Sequence, residues 1–353
     1  MDSKELNLSR RDFLGCAAAG AALAVTAANA ASAANAEARP QPADTTWFKD
    51  AKTGVFCHYL TGEATSVEDW NRQVDAFDVE GLAKQLAEIG TPYFFLTIGQ
   101  NSGHYCAPNE TYDRIVGIRP SKCSKRDLIA DLAAALAPHK IRMMVYLPSG
   151  APDRDPTAMQ QLKWRNGGDW GTPAERRLVE FQRNWEAVIR EWSMRWGKHV
   201  HGWWIDGCYF ADDMYRAAEA PNFGSFAGAL KAGNPESLVG FNPGVKVPVV
   251  CHSEFEDFTA GEISTQFPVH DHTAPLGRWV ERNGHKAQLH ILSFLGEWWA
   301  GPPKRFADEL PIAYTRYINS RGGVVTWDAP IGFNGLIQAD FAAQLKAIRQ
   351  AVG

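Results

Sequence analysis

Cysteine is scarce in this sequence and shows none of the spacings that build a metal site. The chain has six cysteines, one of them Cys16 near the amino terminus, and none forms a C-x-x-C pair. The other five are an odd number, so the sequence predicts neither a disulfide framework nor a structural zinc site. One disulfide is possible in an oxidising compartment. Otherwise we expect free, buried thiols at Cys57, Cys106, Cys123, Cys208 and Cys251.

An excess of positive charge is also absent, since the formal net charge is -4 at pH 7. Binding of nucleic acid or of an anionic membrane requires a basic surface, so neither is an expected partner. There is no glycine-rich loop followed by lysine, which argues against a phosphate-binding fold. Beyond the leader, we expect no stable membrane span in the mature chain.

Residues 1–36 are typical of an export signal. The stretch SRRDFLG, residues 9–15, carries paired arginines and precedes a short, alanine-rich apolar run with A-x-A cleavage sites. This pattern predicts a twin-arginine signal peptide, the twin-arginine export machinery as a partner, and a periplasmic or secreted mature protein. The alternatives are an uncleaved anchor and a lipoprotein; Cys16 disfavours the lipoprotein because it precedes the apolar run. Residues 37–46 are predicted to be a polar, proline-containing linker.

Tryptophan, in contrast, is abundant. The chain has 13 tryptophans, including adjacent pairs at Trp203 and Trp204 and at Trp298 and Trp299. Indole faces stack on the apolar faces of sugar rings, while polar neighbours bind the hydroxyl groups. The composition therefore favours a carbohydrate cleft, and a large aromatic core is the alternative explanation of the same count.

From residue 47 to 353, short β-branched or aromatic runs alternate with helical patterns, which is the signature of parallel βα units. The eight predicted strands are 54–60, 93–99, 142–149, 202–207, 237–243, 257–262, 288–296 and 322–330. A final helix is predicted over 339–352. This order predicts an α/β fold of the (β/α)8, TIM-like barrel type that forms a single catalytic domain over residues 47–353.

Active sites of such barrels lie at the carboxyl ends of the strands. Four of the predicted strands end in a carboxylate: Asp206, Glu262, Glu297 and Asp328. The other polar or aromatic side chains at strand ends are His58, Tyr59, Gln100, Asn101, His104, Tyr146, Ser149, Asn242 and Trp327. Two carboxylates on either side of the scissile bond are the usual machinery of glycoside hydrolysis, so the sequence predicts a carbohydrate substrate.

Four segments resemble the α-L-fucosidase family of glycoside hydrolases. WFKDAKTGVFCHYL (47–60) is similar to the family's first strand, which ends in a G-[IV]-F-x-H-W-G pattern, and GWWIDG (202–207) to its fourth-strand W-[FL]-D-G. DFTAGE (257–262) resembles a later D-[FY]-x-T-x-E segment, and GGVVTWDAPIGFNGLI (322–337) resembles the pattern of the eighth strand. The segments follow one another in the family's order over most of the chain.

The resemblance implies an exported, exo-acting, retaining hydrolase of α-L-fucosides or of a related deoxy or modified sugar, with no metal and no cofactor. It makes Asp206 the nucleophile and Glu262 the acid/base, which requires a raised pKa at Glu262. His58 would hydrogen-bond a sugar hydroxyl. Trp204 would shape the floor of the site, but neighbouring strand residues point to opposite faces, so either Trp203 or Trp204 is core.

The chain departs from the family after strands two and seven. Gln100 and Asn101 in GQNSGH replace two histidines of K-H-H-D-G-F, and GEWW with Glu297 replaces W-G-Y. Amide side chains bind hydroxyl groups but carry no proton at neutral pH, so the identity of the sugar is open. The predicted substrate-binding residues are His58, Gln100, Asn101, His104, Tyr146, Trp204, Glu297 and Trp327.

Three other assignments remain open at the level of sequence. The first keeps the barrel and exchanges the roles, with Asp206 as acid/base and Glu297 as nucleophile. The second is a metal-dependent barrel hydrolase, suggested by the HDH stretch at 270–272, although its spacing is a weak metal signature. The third is a carbohydrate-binding barrel without catalysis, which the presence of both Asp206 and Glu262 argues against.

Overall fold

Parallel strands form the central sheet of the protein, whose computed structural model describes residues 40–62, 66–164, 177–269 and 276–353. In chain order the strands are β1 (Thr53–Cys57), β2 (Tyr93–Thr97), β3 (Arg142–Pro148), β4 (Val200–Asp206), β5 (Leu238–Phe241), β6 (Trp279–Arg282), β7 (His285–Gln288), β8 (His290–Phe294), β9 (Gly296–Trp298), β10 (Gly301–Lys304) and β11 (Val324–Asp328). Seven of them make a curled parallel sheet in the order β5, β4, β3, β2, β1, β11, β8. The pairs β6–β7 and β9–β10 are separate antiparallel hairpins.

Helices connect the strands of this sheet. They are α1 (Thr46–Ala51), α2 (Val67–Asp75), α3 (Val79–Ile89), α4 (Glu110–Val116), α5 (Leu128–Leu136), α6 (Pro156–Leu162), α7 (Val179–Trp196), α8 (Ala211–Met214), α9 (Phe223–Leu230), α10 (Glu309–Ser320) and α11 (Ala339–Val352). Polar side chains accept first-turn N–H groups at six helix starts: Ser66, Asp78, Asn109, Asp127, Asp155 and Asn222. These caps satisfy donors that a helix cannot satisfy itself.

The two faces of the sheet build two separate apolar clusters. Because side chains alternate along a strand, Val145 of β3 packs towards the helices while Met144 and Tyr146 pack on the concave face. β4 repeats this alternation, with Trp203 in the outer cluster and Trp204 in the inner one. Of the adjacent residues Trp203 and Trp204, only Trp204 therefore faces the interior of the curled sheet.

The predicted strand at 257–262 is not a regular strand, which corrects the expected eight-stranded sheet. The segment lies between β5 and β8 and makes only isolated bridges to the β8 side, including one from Glu262 to Leu292. Side chains occupy ladder positions there: Asp257 accepts the N–H of Val239, and Thr259 exchanges two hydrogen bonds with the backbone of His290. These side-chain contacts interrupt the regular backbone ladder and leave only separate backbone hydrogen bonds to the two edges, so the parallel sheet of the described residues has seven strands rather than the expected eight.

The segment before β1 covers the amino-terminal end of the inner cluster. Phe48 of α1 is fully buried and its ring lies within 5.0–5.4 Å of the rings of Tyr93, Phe258 and His290. Ala43 donates its N–H to Asp257, so the described part of the predicted linker is tied to the sheet. The other end of the inner face is left for the site.

The structure bears on two predictions about the chain as a whole. The expectation of free, buried cysteines is confirmed at all five positions, from Cys57 to Cys251. Within the described ranges, no helix is long and apolar enough to cross a membrane. Residues 1–36, the predicted signal peptide, lie outside those ranges.

Candidate active site

A cavity of about 510 Å³ opens at the carboxyl ends of the parallel strands. Its walls come from six strands or their following loops, as expected when the ends of parallel strands converge. The lining residues are Phe56, His58, Leu60, Gln100, Asn101, Tyr146, Trp204, Asp206, Tyr209, Glu262, Leu292, Trp298, Trp299 and Ala300.

Asp206, the last residue of β4, receives hydrogen bonds on both carboxyl oxygens. Oδ2 accepts from the Tyr146 hydroxyl at 2.6 Å, and Oδ1 accepts from Asn242 Nδ2 at 2.8 Å and from the Gly207 N–H at 2.8 Å. The Tyr209 hydroxyl lies 3.4 Å from Oδ1. All of these neighbours donate hydrogen bonds, and the oxygens of a carboxylate accept them. The side chain is thus fixed in one orientation at the bottom of the cavity.

The two tyrosines keep their protons next to this carboxylate. Burial, followed by the negative charge of Asp206, raises the pKa of Tyr146 and that of Tyr209 well above the usual value of a phenol. Gln100 Nε2 donates to the Tyr146 hydroxyl at 2.7 Å, so a relay of donors runs from Gln100 through Tyr146 to Asp206. Gln100 therefore orders the nucleophile candidate besides lining the cavity.

One amide group connects Asp206 to Glu262. Asn242 Nδ2 donates to Asp206 Oδ1 at 2.8 Å and to Glu262 Oε2 at 2.6 Å. The two carboxyl oxygens are therefore at most about 5.4 Å apart, the two bond lengths laid end to end. Retaining glycosidases place their carboxyl groups about 5–5.5 Å apart, and inverting ones roughly 6.5–9.5 Å apart. This upper limit, for one oxygen of each group, lies below the roughly 6.5 Å at which the inverting range begins.

Glu262 has the protonation behaviour of a general acid. Burial, and then the nearby charge of Asp206, raise the pKa of Glu262 to about 7, while the hydrogen bond from Asn242 and the proximity of His58 oppose the shift. Below that pH the side chain holds a proton that it can donate, and above it the proton is lost. A raised pKa at one of two carboxyl groups in a cavity is typical of the group that acts as the acid.

His58 is held in place by a buried carboxyl group. Its Nδ1 lies 2.9 Å from Asp328 Oδ1, and Asp328 is fully buried at the end of β11. Asp328 Oδ2 accepts the N–H of Ala300 at 2.7 Å, so the same residue anchors the turn between β9 and β10. Because Nδ1 faces a carboxyl oxygen, Nε2 is the nitrogen of His58 left for a ligand.

Aromatic side chains form the floor and one wall of the cavity. Trp204 is buried, stacks on Tyr146 with ring centroids 5.5 Å apart, and donates its indole N–H to the Ala260 carbonyl. Trp299 lies 5.7 Å from the His58 ring, and Trp298 is exposed at the rim. These flat surfaces are suited to the apolar face of a sugar ring.

Three predicted substrate-binding residues do not line the cavity. Glu297 is exposed on β9, which belongs to a separate antiparallel hairpin, and it is not among the residues that line the cavity. Trp327 is buried on the outer face, since alternation along β11 turns it towards the helices, where it donates to Thr315. His104 packs against Trp70, because the pairing of Gly99 with Tyr105 folds the loop back. Burial and the charge of Lys122 lower the pKa of His104 to about 4.

The remaining predicted residues come together as expected, and the site also contains residues that were not predicted. His58, Gln100, Asn101, Tyr146, Trp204, Asp206 and Glu262 all line the cavity. The structure adds Asn242, Tyr209, Trp298 and Trp299 to the site. The tryptophan pair was visible in the composition, and Asn242 as a strand end. Nothing in the sequence signalled that Asn242 would contact both carboxyl groups.

The metal hypothesis gains no support from the described residues. Among them, no group of three or more His, Cys, Asp or Glu side chains is placed to hold an ion. His270 and His272, which suggested the hypothesis, lie outside the described ranges.

The amino-acid sequence matches no protein-family model and no curated protein. The structure is similar to that of an endo-fucoidan hydrolase from glycoside hydrolase family 107, with a TM-score of 0.65 at 15% sequence identity, over 88% of this chain and 54% of that one. An α-L-fucosidase, AlfC from Lactobacillus casei, solved with its α-L-fucose product, matches with a TM-score of 0.59 at 14% identity, over 87% of this chain and 97% of that one. The chain shares the fold of these hydrolases.

A further endo-fucoidan hydrolase of family 107 agrees with these matches, with a TM-score of 0.63 at 15% identity over 84% of this chain and 90% of that one. The predicted resemblance to α-L-fucosidases is therefore confirmed for the fold. The chain spans about half the length of the first endo-fucoidan hydrolase.

Proposed function

We propose that the protein is an exo-acting, retaining glycoside hydrolase of the α-L-fucosidase type. Its substrates are α-L-fucosides or glycosides of a related deoxy or modified sugar. The observation that carries the proposal is the single Asn242 amide shared by Asp206 and Glu262, because it brings one oxygen of each carboxyl group to within about 5.4 Å of the other, closer than in an inverting pair. The shared fold with hydrolases of fucose-containing substrates supports the choice of sugar.

The proposed reaction has two steps. Asp206 attacks the anomeric carbon while Glu262 donates its proton to the glycosidic oxygen, so that the bond to the leaving group breaks and a glycosyl ester forms on Asp206. Glu262, now ionised, then takes a proton from water, whose oxygen attacks the anomeric carbon and releases Asp206. The raised pKa of Glu262 suits both steps, since the group both gives and takes a proton near neutral pH.

The other side chains of the cavity would hold the sugar. Nε2 of His58 and the amides of Gln100 and Asn101 are available for hydroxyl groups, and Trp299 for an apolar ring face. The hairpin turn at Trp299 and Ala300 borders the cavity, which supports binding of a terminal sugar and hence exo action.

A panel of aryl α- and β-glycosides tests the proposed function. The panel includes fucosides, galactosides and rhamnosides, and nuclear magnetic resonance follows the anomer released first. We expect cleavage of α-L-fucosides or a close analogue with release of the same anomer, since two displacements at one carbon restore its configuration. Release of the opposite anomer would contradict the retaining assignment. If no glycoside of the panel is cleaved, the proposed substrate class is wrong.

We further propose that residues 257–262 occupy the position of the sixth strand in a closed (β/α)8 barrel. The segment lies between the two edges of the sheet: Asp257 and Phe258 donate to Val239 of β5, while Thr259 and Ile263 donate to Gln288 and Leu292 on the β8 side. Contacts to both edges support closure of the sheet through this segment.

Export through the twin-arginine machinery to the periplasm or medium is also proposed. It is supported by the paired arginines of SRRDFLG and the alanine-rich run that follows. Replacing both arginines, Arg10→Lys with Arg11→Lys, should keep the chain in the cytoplasm, as measured by cell fractionation of a bacterial host. The matched control Lys4→Gln changes a charge outside the motif. Export of the double variant at the level of the parent chain would refute the assignment.

A further inference from the structure

Asp328 is a buried carboxyl group beside the cavity that the proposed reaction does not use. It ends β11, is fully buried, and contacts a different part of the chain with each oxygen. Oδ1 lies 2.9 Å from His58 Nδ1, and Oδ2 accepts the N–H of Ala300 at 2.7 Å. Both His58 and Ala300 line the cavity. One side chain therefore holds the residue after β1 and the turn between β9 and β10.

The turn at Ala300 commits Oδ2 of Asp328 to accepting a hydrogen bond. Trp299 and Ala300 lie between Trp298 and Gly301, which pair in the β9–β10 hairpin. Ala300 has φ at 54°, in the left-handed region that is unfavourable for a residue with a side chain. Such a residue persists only where its surroundings hold it, and here Asp328 accepts its N–H.

Aromatic neighbours hold the His58 ring in the orientation in which Nδ1 meets Asp328. The ring centroids of Phe56, Tyr146 and Trp299 lie 4.7, 5.6 and 5.7 Å from that of His58. The His58 side chain is only 10% exposed. Nδ1 therefore stays opposite Oδ1 of Asp328, and Nε2 is the nitrogen left for a ligand.

The contact with Asp328 also decides which ring nitrogen of His58 carries the hydrogen. An ionised carboxyl group has no hydrogen to donate, so the hydrogen bond between Nδ1 and Oδ1 places the hydrogen on Nδ1. A neutral imidazole has only one hydrogen on its two nitrogens, so Nε2 is then an acceptor. A ligand of this nitrogen must therefore be a donor.

We propose that Asp328 is a positioning residue that fixes His58 in the tautomer whose Nε2 accepts, so that the cavity selects a sugar with a free hydroxyl group at this point. The choice of a sugar as the ligand rests on the proposed function, whereas the tautomer rests on the contacts of Asp328. A sugar that is deoxygenated, fluorinated or esterified at this position has no hydrogen to donate. It should bind weakly, because it leaves the acceptor unpaired.

Asp328→Asn is the discriminating variant, because the contact with Ala300 determines how its amide is oriented. The Ala300 N–H needs an acceptor, so the asparagine oxygen should face Ala300 and the NH₂ group should face His58. Nδ1 then accepts, and the hydrogen moves to Nε2. In other histidine–aspartate pairs the same replacement changes the tautomer and preserves the geometry.

Nuclear magnetic resonance reads the tautomer in the ligand-free protein. The nitrogen chemical shifts of isotope-labelled histidine are recorded in alkaline buffer, and the His58 signals are assigned by their absence in His58→Gln. We expect the hydrogen on Nδ1 in the parent protein and on Nε2 in Asp328→Asn. Asp75→Asn, the same change at an exposed position of α2, should keep the parent tautomer.

Two results of this measurement would overturn the inference. One is a hydrogen on Nε2 of the neutral ring in the parent protein, which decides the question even if Asp328→Asn does not fold. The other is an unchanged tautomer in folded Asp328→Asn.

Calorimetry measures the consequence for binding, with L-fucose and the analogues in which its 2-, 3- or 4-hydroxyl group is replaced by fluorine. Fluorine accepts weakly and cannot donate. We expect at least one analogue to bind the parent protein about tenfold or more weakly than L-fucose, the effect of one unpaired acceptor. This ratio should shrink to about a few-fold in Asp328→Asn, whose Nε2 donates, and stay at the parent value in Asp75→Asn.

The binding results separate this inference from the proposed function. If L-fucose does not bind, the proposed sugar is wrong, and the tautomer in the ligand-free protein still decides the role of Asp328. If α-L-fucosides are cleaved but every analogue binds as tightly as L-fucose, or the ratio is the same in Asp328→Asn, the hydrolase assignment stands and the selection of a donor is refuted.

Discussion

Asp206→Ala is expected to lower kcat for the cleaved glycoside by about 10⁴-fold or more, because it removes the carboxylate proposed to form the covalent intermediate. The loss should appear in kcat rather than in KM, since the proposed role of the residue is attack on the reacting carbon. Steady-state kinetics on an aryl glycoside measures it. The variant also removes an acceptor shared by Tyr146, Asn242 and Tyr209, so folding is checked by circular dichroism.

Chemical rescue distinguishes a lost nucleophile from a damaged fold. Azide or formate fits the space that the alanine leaves and attacks the anomeric carbon directly, which should restore part of the turnover and, with azide, yield a glycosyl azide. Asp75→Ala, at an exposed position of α2, serves as the matched control and should keep the parent rate. Full activity of Asp206→Ala without any rescuing anion would refute its assignment as the nucleophile.

Glu262→Gln should cause the second large loss, about 10²-fold to 10⁴-fold on substrates with poor leaving groups. Substrates such as dinitrophenyl glycosides leave without protonation and should be affected much less in their first step. In the parent protein, activity should fall as the pH rises through about 7, because the raised pKa of Glu262 marks the loss of the catalytic proton. The Glu262→Gln variant should not show this fall in activity at alkaline pH.

Glu297→Gln is the matched comparison for this experiment, since the same change is made on the exposed β9 hairpin outside the cavity. We expect its pH profile to follow that of the parent. A profile in which Glu297→Gln removes the activity and Glu262→Gln does not would favour the exchanged roles, with Glu297 as the nucleophile.

Most of the parallel sheet could be predicted from sequence, because buried parallel strands are short runs of β-branched and aromatic residues between helical patterns. The runs that contain Phe94, Val145 and Trp203 are of this kind. The run at 257–262 has a similar pattern, but its pairing depends on the hydrogen bonds that the Asp257 and Thr259 side chains make. Competition between side-chain and backbone hydrogen bonds depends on tertiary contacts, which cannot be read from the sequence pattern.

The site was predictable to the extent that it follows from strand ends. Asp206 and Glu262 follow the fourth and the sixth predicted strands, on either side of the strand before Asn242, and strand ends of a parallel sheet meet at one edge. Trp327 was predicted to bind substrate but does not line the cavity, because a one-residue difference along a strand decides which face of the sheet a side chain occupies. Trp299 was missed as a wall residue, since its position depends on a hairpin that Asp328 holds from another strand.

In the proposed mechanism, the shared amide of Asn242 would also set the direction of proton delivery. Its orientation is settled by the Gly244 N–H, which donates to Oδ1 and leaves the NH₂ group facing the carboxyl groups. Because Oε2 of Glu262 accepts from that amide, Oε1 is the oxygen left to carry the acidic hydrogen of the proposed reaction. The leaving oxygen would then be protonated on the Oε1 side, a direction that depends on a glycine turn after β5.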